Sequence, residues 1–308
     1  MVQDAELTPG ALWRPCSPVH LKLGRRSYDL STRALVIGIL NRTSDSFYDK
    51  GEYFELDRFF ARSEQLVKEG ADLLDVGGVK AGPGPEVTTE EELDRVVPVI
   101  ASLKERFDLP ISVDTWRASV AAAAFEAGAV LGNDISGFAD PDYLQVAQRA
   151  GASVVATHIR LAPRVPDPTP QYDDVVAEVE RFLQERAGRA LLTGIGTDQI
   201  VLDAGLDLGK TAEQSLLLLR SSSRLASLGY PLLLSSSNKT FLGVLLGLDI
   251  KERREASLAS AALGIAGGCR LLRVHDVAGT CKVRDLLAAI MESVPLLEPE
   301  TAGPAARI

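Results

Sequence analysis

Eight apolar runs in this chain each end in a residue that can hydrogen-bond or carry charge. These ends are Asn41, Asp75, Asp114 with Thr115, Asn133 with Asp134, His158, Asp203, Ser237 with Lys239, and Arg273 with His275. Taken singly, an Asp or Thr after such a run is a turn former or helix cap, and that reading is preferred for Asp75, Thr115 and Asp134. His20 and His158 are read as surface or core histidines. Together the set describes a pocket with two halves. A carboxylate accepts two parallel N–H bonds from an amidine-like edge, and a carboxamide offers one donor and one acceptor, so the carboxylates and carboxamides of this set suit a planar nitrogen-rich ring. Lys239, Arg273 and His275 suit a phosphate or carboxylate. The expected ligand is a heterocycle bearing an anionic group.

Two other motifs fail on inspection. The segment AGLDLGKT has Ala204 where a phosphate-binding GxxxxGK[ST] loop needs its first glycine. The serines Ser235 to Ser237 lack the GxSxG setting of a hydrolase nucleophile.

Elements that could gather these groups follow from the pattern between them. The stretch Val36 to Phe47, VIGILNRTSDSF, is an aliphatic run that breaks abruptly into Asn41, Thr43, Ser44 and Asp45, as a buried strand does on entering a loop. Further strands are expected at Ala71 to Gly77, Ile111 to Thr115, Val130 to Ile135, Ser153 to Ile159, Ile200 to Asp203, Pro231 to Ser236 and Arg270 to Val274. With Ala34 to Leu40 they make eight, separated by helix-period segments. The clearest helix is Thr88 to Phe107, with Leu93, Val96, Val97, Ile100, Leu103 and Phe107 on one face and a threonine cap at its start. Gly70, Gly128, Gly151 and Gly229 close helices just before the next strand. This alternation predicts a (β/α)8 barrel over residues 34–296, in which every strand's C-terminal end opens on one face. An open doubly wound sheet is the runner-up, but no GxGxxG follows the first strand. Residues 1–33 are expected to carry a hairpin, His20 to Leu23 and Ser27 to Leu30, turning at Gly24 and Arg25 and plugging one end. The Pro-rich piece Pro163 to Pro170 reads as a loop on the active face, and residues 297–308 as a tail.

Composition narrows the partners. With 33 Lys and Arg against 42 Asp and Glu in 308 residues, the formal charge of −9 argues against nucleic acid. No apolar run reaches the roughly 18 to 20 residues of a spanning helix, so no membrane is expected and the protein is read as cytoplasmic. Cys16, Cys269 and Cys281 form neither a disulfide framework nor a zinc site.

The motifs GILNRTSDSF, DVGG…PG, ISVDT, AGAVLGNDISG, VLDAG…LGKT, SSSNK and LLRVHDV stand in an order and spacing that resemble the dihydropteroate synthase family, across about Leu21 to Val294. The resemblance implies a barrel, usually a homodimer, that joins a dihydropterin pyrophosphate to p-aminobenzoate in folate biosynthesis with magnesium. It implies that Asp114, Asn133, Asp203, Ser237 and Lys239 bind substrate. It also implies that Asn41 assists the metal and that Asn41, Lys239, Arg273 and His275 do the chemistry around the pyrophosphate. Sulfonamide and sulfone mimics of p-aminobenzoate are implied ligands.

Three departures lie on the substrate rim. The family's GGESTRPG reads GGVKAGPG, so Val79, Lys80, Ala81 and Gly82 replace Glu, Ser, Thr and Arg. In its DPGFGFGKT, Leu206, Asp207 and Leu208 replace Phe-Gly-Phe, and in its Ser-Arg-Lys, Asn238 replaces Arg. Losing one charge-stabilising donor typically costs about 2.7 to 4 kcal/mol of transition-state stabilisation. The expectation is a pterin-binding homologue with weak or absent synthase activity. The alternatives are an active synthase and a methyltransferase of the methyltetrahydrofolate type, which would have no need of Lys239, Arg273 and His275 as an anion clamp.

Overall fold

The computed structural model describes residues 19–42 and 52–293. The expectations for Cys16, for Thr43, Ser44 and Asp45, and for the tail at 297–308 fall outside them. Two short strands come first, β1 (His20–Leu23) and β2 (Arg26–Asp29), paired antiparallel around the turn at Gly24 and Arg25. The second lies one residue earlier than expected, and the Leu30 backbone N–H still donates to Val19 O at 2.8 Å, in register with the ladder.

The eight expected strands are all present, four of them ending a residue or two short of the expected stretch. They are β3 (Leu35–Asn41), β4 (Leu73–Gly77), β5 (Ile111–Asp114), β6 (Leu131–Asp134), β7 (Ser153–Thr157), β8 (Ile200–Asp203), β9 (Leu232–Leu234) and β10 (Cys269–Val274). All pairings are parallel, and β10 meets β3 to close the barrel. Among the described residues ten helices surround or extend the sheet: α1 (Glu52–Lys68), α2 (Thr89–Arg106), α3 (Ala118–Glu126), α4 (Tyr143–Ala150), α5 (Val175–Leu192), α6 (Ala212–Arg220), α7 (Ser222–Ala226), α8 (Thr240–Leu246), α9 (Arg254–Ala266) and α10 (Val277–Ser293).

Local chemistry explains the helix ends. Thr88 Oγ1 accepts from Glu91 N at 3.1 Å while Glu91 returns a carboxylate to Thr88 N at 2.9 Å, a reciprocal cap that satisfies two otherwise orphaned donors. Gly70, Gly128, Gly151 and Gly229 all have positive φ, the conformation that stops a helix and turns the chain into the next strand.

The core has two layers. Val36, Leu74, Val76, Val113, Val154, Leu202 and Leu272 face the helices. Leu35, Ile37, Leu73, Leu131, Val155, Val201, Leu233 and Leu271 fill the barrel interior, and Leu21, Leu23 and Leu30 of the hairpin segment seal that layer from below. Side chains two residues apart on a strand share a face. Four of these interior aliphatics therefore have a charged or carboxamide neighbour directly above them: Leu73 has Asp75, Leu131 has Asn133, Val201 has Asp203 and Leu271 has Arg273. The barrel is apolar at its base and charged at its mouth.

Candidate functional site

Arg273 sits at the centre of the mouth and is held by two carboxylates. Its Nε donates to Asp75 Oδ2 at 2.6 Å and its Nη2 to Asp114 Oδ2 at 2.7 Å. Asp75 is only 1% exposed, so its sequence reading as a turn former is corrected: strand β4 aims it into the barrel, where it is half of a buried ion pair. Asn133 Nδ2 lies 3.5 Å from the same Asp75 oxygen, and register pairs Asp114 with Asn133 on the adjoining strand. Asp75 Oδ1 is buried without a hydrogen-bond partner among the described residues. An unsatisfied buried carboxylate oxygen of this kind is a ready acceptor for a ligand N–H.

Asp203 lies across the pocket, buried, with Oδ1 accepting from Gly205 N at 2.8 Å. Lys239 donates Nζ to the Leu206 carbonyl. Burial lowers the Lys239 pKa, and Asp203 opposes that shift; burial raises Asp203, and Lys239 opposes in turn. Asp114 is pushed up to about 7, by burial first, with Arg273 pulling it down and Asp75 adding to the rise. Beyond burial, the cluster holds three carboxylates, Asp75, Asp114 and Asp203, against two cations, Arg273 and Lys239, so one added proton makes it neutral. Burial works to lower the pKa of Arg273, but Asp75 and Asp114 outweigh it and the guanidinium stays charged.

The remaining expected residues line the rim. His275 is exposed, with Nδ1 3.0 Å from Ser237 Oγ, and its backbone N–H reaches the same hydroxyl at 3.2 Å. Packing against the protein, then the charges of Arg273 and Arg62, lower the His275 pKa, so the ring is neutral near pH 7. A cavity of about 260 Å³ opens behind this pair, with Lys251, Arg254 and Asp276 also in its walls. Asn41 is exposed at the tip of β3; a side chain at Gly77 would meet its Oδ1 at 3.3 Å, so that glycine leaves the carboxamide its place. Thr115 and Asp134 are turn formers as read from sequence: Asp134 accepts from Ser136 N at 2.6 Å and Phe138 N at 2.9 Å, and Arg117 N donates to Thr115 Oγ1 at 3.3 Å. His158 is a core histidine, packed edge-on against Phe182.

Lys210, in the motif that fails as a phosphate loop, is a residue sequence reasoning passed over. Its buried Nζ lies 2.9 Å from His158 Nδ1 and donates to the carbonyls of Gly205, Leu208 and His158 at 2.8, 3.0 and 3.3 Å. It folds back into its own loop instead of facing a phosphate. The positive φ of Gly205 and Gly209, both ahead of the lysine, lets the loop wrap it, and those two glycines are the sequence signal.

Four of the loops above the strands are linked in series. The loop after β4 meets the loop after β7 where Arg164 N donates to Ala81 O at 3.0 Å and the Arg164 side chain reaches Pro85 O. Those are the second and fifth strands of eight, so this contact arches over the mouth. The Pro-rich loop in turn bonds the β8 loop, through Tyr172 Oη to Gly209 O at 2.8 Å. The β8 loop joins the β9 loop through Asp207, whose Oδ2 accepts from Thr240 N at 2.6 Å. Asp207 therefore turns toward the start of α8. In the β4 loop, Val79 is buried, and at Gly82 a side chain would start into open space, with nothing within 4 Å.

A family model described as pterin binding enzyme matches residues 37–275. The dihydropteroate synthase of Synechocystis sp. is 41% identical over 276 residues, which cover 88% of this chain and 96% of that protein. A Mycobacterium leprae protein named inactive dihydropteroate synthase 2 is 44% identical over 269 residues, 85% of this chain and 92% of that one. The structure of Xanthomonas albilineans dihydropteroate synthase with 4-aminobenzoic acid superposes with a TM-score of 0.83 at 39% identity, covering 91% of this chain and 100% of that chain.

Proposed function

The chain belongs to the family of pterin-binding enzymes that includes the dihydropteroate synthases, and on that premise we propose that it is a pterin-binding paralogue whose ordinary synthase activity is weak or absent. The single observation that carries the second half of this reading is the β4 loop. Val79, Ala81 and Gly82 offer no hydroxyl, carboxylate or guanidinium, and Gly82 leaves open space where the family pattern has an arginine. An arginine–phosphate pair is bidentate and charge-assisted, and glycine offers nothing in its place.

The floor of the pocket supports the first half. Asp114, Asn133 and Asp203 offer the acceptors and donors that a pterin's amidine edge needs, and the orphaned Asp75 oxygen adds an acceptor. In any residual transfer, Lys239 would orient the ring from the Asp203 side. Ser237 and neutral His275 would donate to pyrophosphate oxygens as negative charge develops on the leaving group. Arg273 acts mainly from below, since its Nε and Nη2 are committed to carboxylates. Asn41 alone is a poor magnesium site, one neutral oxygen at the rim. It fits the ion as one arriving with pyrophosphate, because magnesium commonly binds through substrate phosphates and retained waters. In that setting magnesium would neutralise leaving-group charge. The proposed assembly is a homodimer through the face where Leu216 and Leu217 of α6, Val244 and Leu246 of α8, and Leu263 of α9 are exposed, an apolar surface of the kind that association covers.

The second reading, an active synthase, draws on the intact floor and on the 41% identity to a synthase. Calorimetry with pterin pyrophosphate and magnesium, beside a coupled synthase assay, separates the two. Pterin binding without turnover is expected. Turnover comparable to a known synthase overturns the first reading, and failure to bind pterin overturns both.

A further inference from the structure

Asp75 Oδ1, Ser112 Oγ and Thr157 Oγ1 are buried inside the barrel without a hydrogen-bond partner among the described residues. Asp75 and Ser112 are paired in register on β4 and β5, so each of those two orphans has the other beside it. Thr157 stands apart from them. It is the last residue of β7, 2% exposed, at the end of the strand that opens on the mouth. It lies two residues beyond the interior Val155 and so shares that face, and register sets it beside Asp203 on β8. Its methyl packs toward the β8 loop, where a side chain at Gly205 would come within 3.2 Å of Thr157 Cγ2. A β-branched side chain has few χ1 states, so with the methyl there the hydroxyl lies on the other side of Cβ, off that loop. The base of the same strand gives the contrast: Ser153 Oγ donates to the Lys22 carbonyl. Buried hydroxyls are normally paired, and an orphan carries a cost that valine, of the same shape, avoids.

We propose that Thr157 is a further ligand-binding residue, its hydroxyl hydrogen-bonding the polar edge of the ring beside the N–H groups that Asp203 accepts. This rests on the pterin-binding reading above and extends it to the strand between those of Asn133 and Asp203. The ionised Asp203 carboxylate only accepts, Asn133 supplies one donor and one acceptor, and a hydroxyl between them can do either. Three adjacent strands, β6, β7 and β8, then present polar groups to the pocket. A planar ring whose edge carries N–H, ring nitrogen and carbonyl atoms in succession, as a 2-amino-4-oxopteridine does, pairs with all of them. A ring with C–H at the position facing Thr157 leaves the hydroxyl orphaned, so the residue also selects against such ligands.

The test titrates 6-hydroxymethylpterin into the full chain and into its Thr157→Val and Thr157→Ser variants, and unfolds each unliganded protein in urea. Valine keeps the shape and loses the hydroxyl. Its unfolding midpoint is expected to equal or exceed that of the wild type, while pterin affinity falls at least about fivefold. Serine keeps the hydroxyl and should bind within about twofold of wild type. Stability and affinity moving apart is the signature of a group whose partner is the ligand. A lower midpoint for Thr157→Val overturns the inference, because the hydroxyl is then partnered within the protein. Valine binding pterin as tightly as wild type overturns it too, as does serine losing as much affinity as valine. A wild-type chain that fails to bind pterin overturns the functional reading together with this inference, and is seen before any variant is measured.

Discussion

Replacing Asp114 by asparagine should change how stability depends on pH. In the native barrel Asp114 is raised from 3.8 to about 7, chiefly by burial, in a cluster where three carboxylates share two cations. A carboxyl whose folded pKa lies above its unfolded value binds its proton more tightly when folded. Its contribution to stability is full below the unfolded pKa and is lost as pH rises through the folded one. Each pH unit inside that window is worth about 1.4 kcal/mol. Between pH 5 and 8 the window covers roughly two units, so the wild-type chain should lose about 2 to 3 kcal/mol relative to Asp114→Asn. Urea denaturation of both proteins at half-unit intervals, with the difference plotted against pH, isolates this term because every other group titrates in both. The asparagine keeps an oxygen for Arg273 Nη2, so the variant should fold. Parallel stability curves across pH 5 to 8 would refute the raised Asp114 pKa, and so would a wild type that gains stability relative to the variant as pH rises. A companion measurement is proton exchange on binding: pterin titrated at pH 7 in buffers of different ionisation enthalpy should show proton exchange in the wild type that the variant lacks.

Restoring Ala81→Thr together with Gly82→Arg should raise residual synthase turnover, because the space at Gly82 is open; an unchanged coupled assay removes that loop as the main lesion. Leu21→Ala should cost about 2 to 5 kcal/mol in urea unfolding, since Leu21 is fully buried in the layer that seals the barrel base; a cost below 1 kcal/mol would show that the hairpin does not plug it. Lys210→Met strips the donor from buried carbonyls of Gly205 and His158 and should destabilise the chain by at least about 2 kcal/mol. It should also weaken pterin binding, by loosening the loop that carries Leu206 to Lys239; stability and affinity both equal to wild type would count against that role.

Much of this molecule was legible in its sequence, because the information was local. Strand after strand announces itself by an aliphatic run cut off by a polar residue. Glycines at 70, 128, 151 and 229 mark helix ends because only a residue without Cβ turns there cheaply, and Thr88 with Glu91 caps its helix through contacts three residues apart. Closure into a barrel followed from counting such units, and the convergence of Asp114, Asn133, Asp203, Lys239 and Arg273 on one mouth followed from closure. Tertiary structure decided what each polar group does there. Asp75 could have been a turn former until β10 brought Arg273 to within 2.6 Å of it across a strand boundary that no local pattern encodes. Asp207 reads in sequence as a charge added beside a substrate, and only the approach of α8 turns its carboxylate onto Thr240 N. Arg164 spans the mouth to Ala81 although 83 residues separate them. Periodicity and capping are near-neighbour physics and can be read along a chain, whereas partner choice inside a pocket depends on which distant backbone segments arrive beside one another.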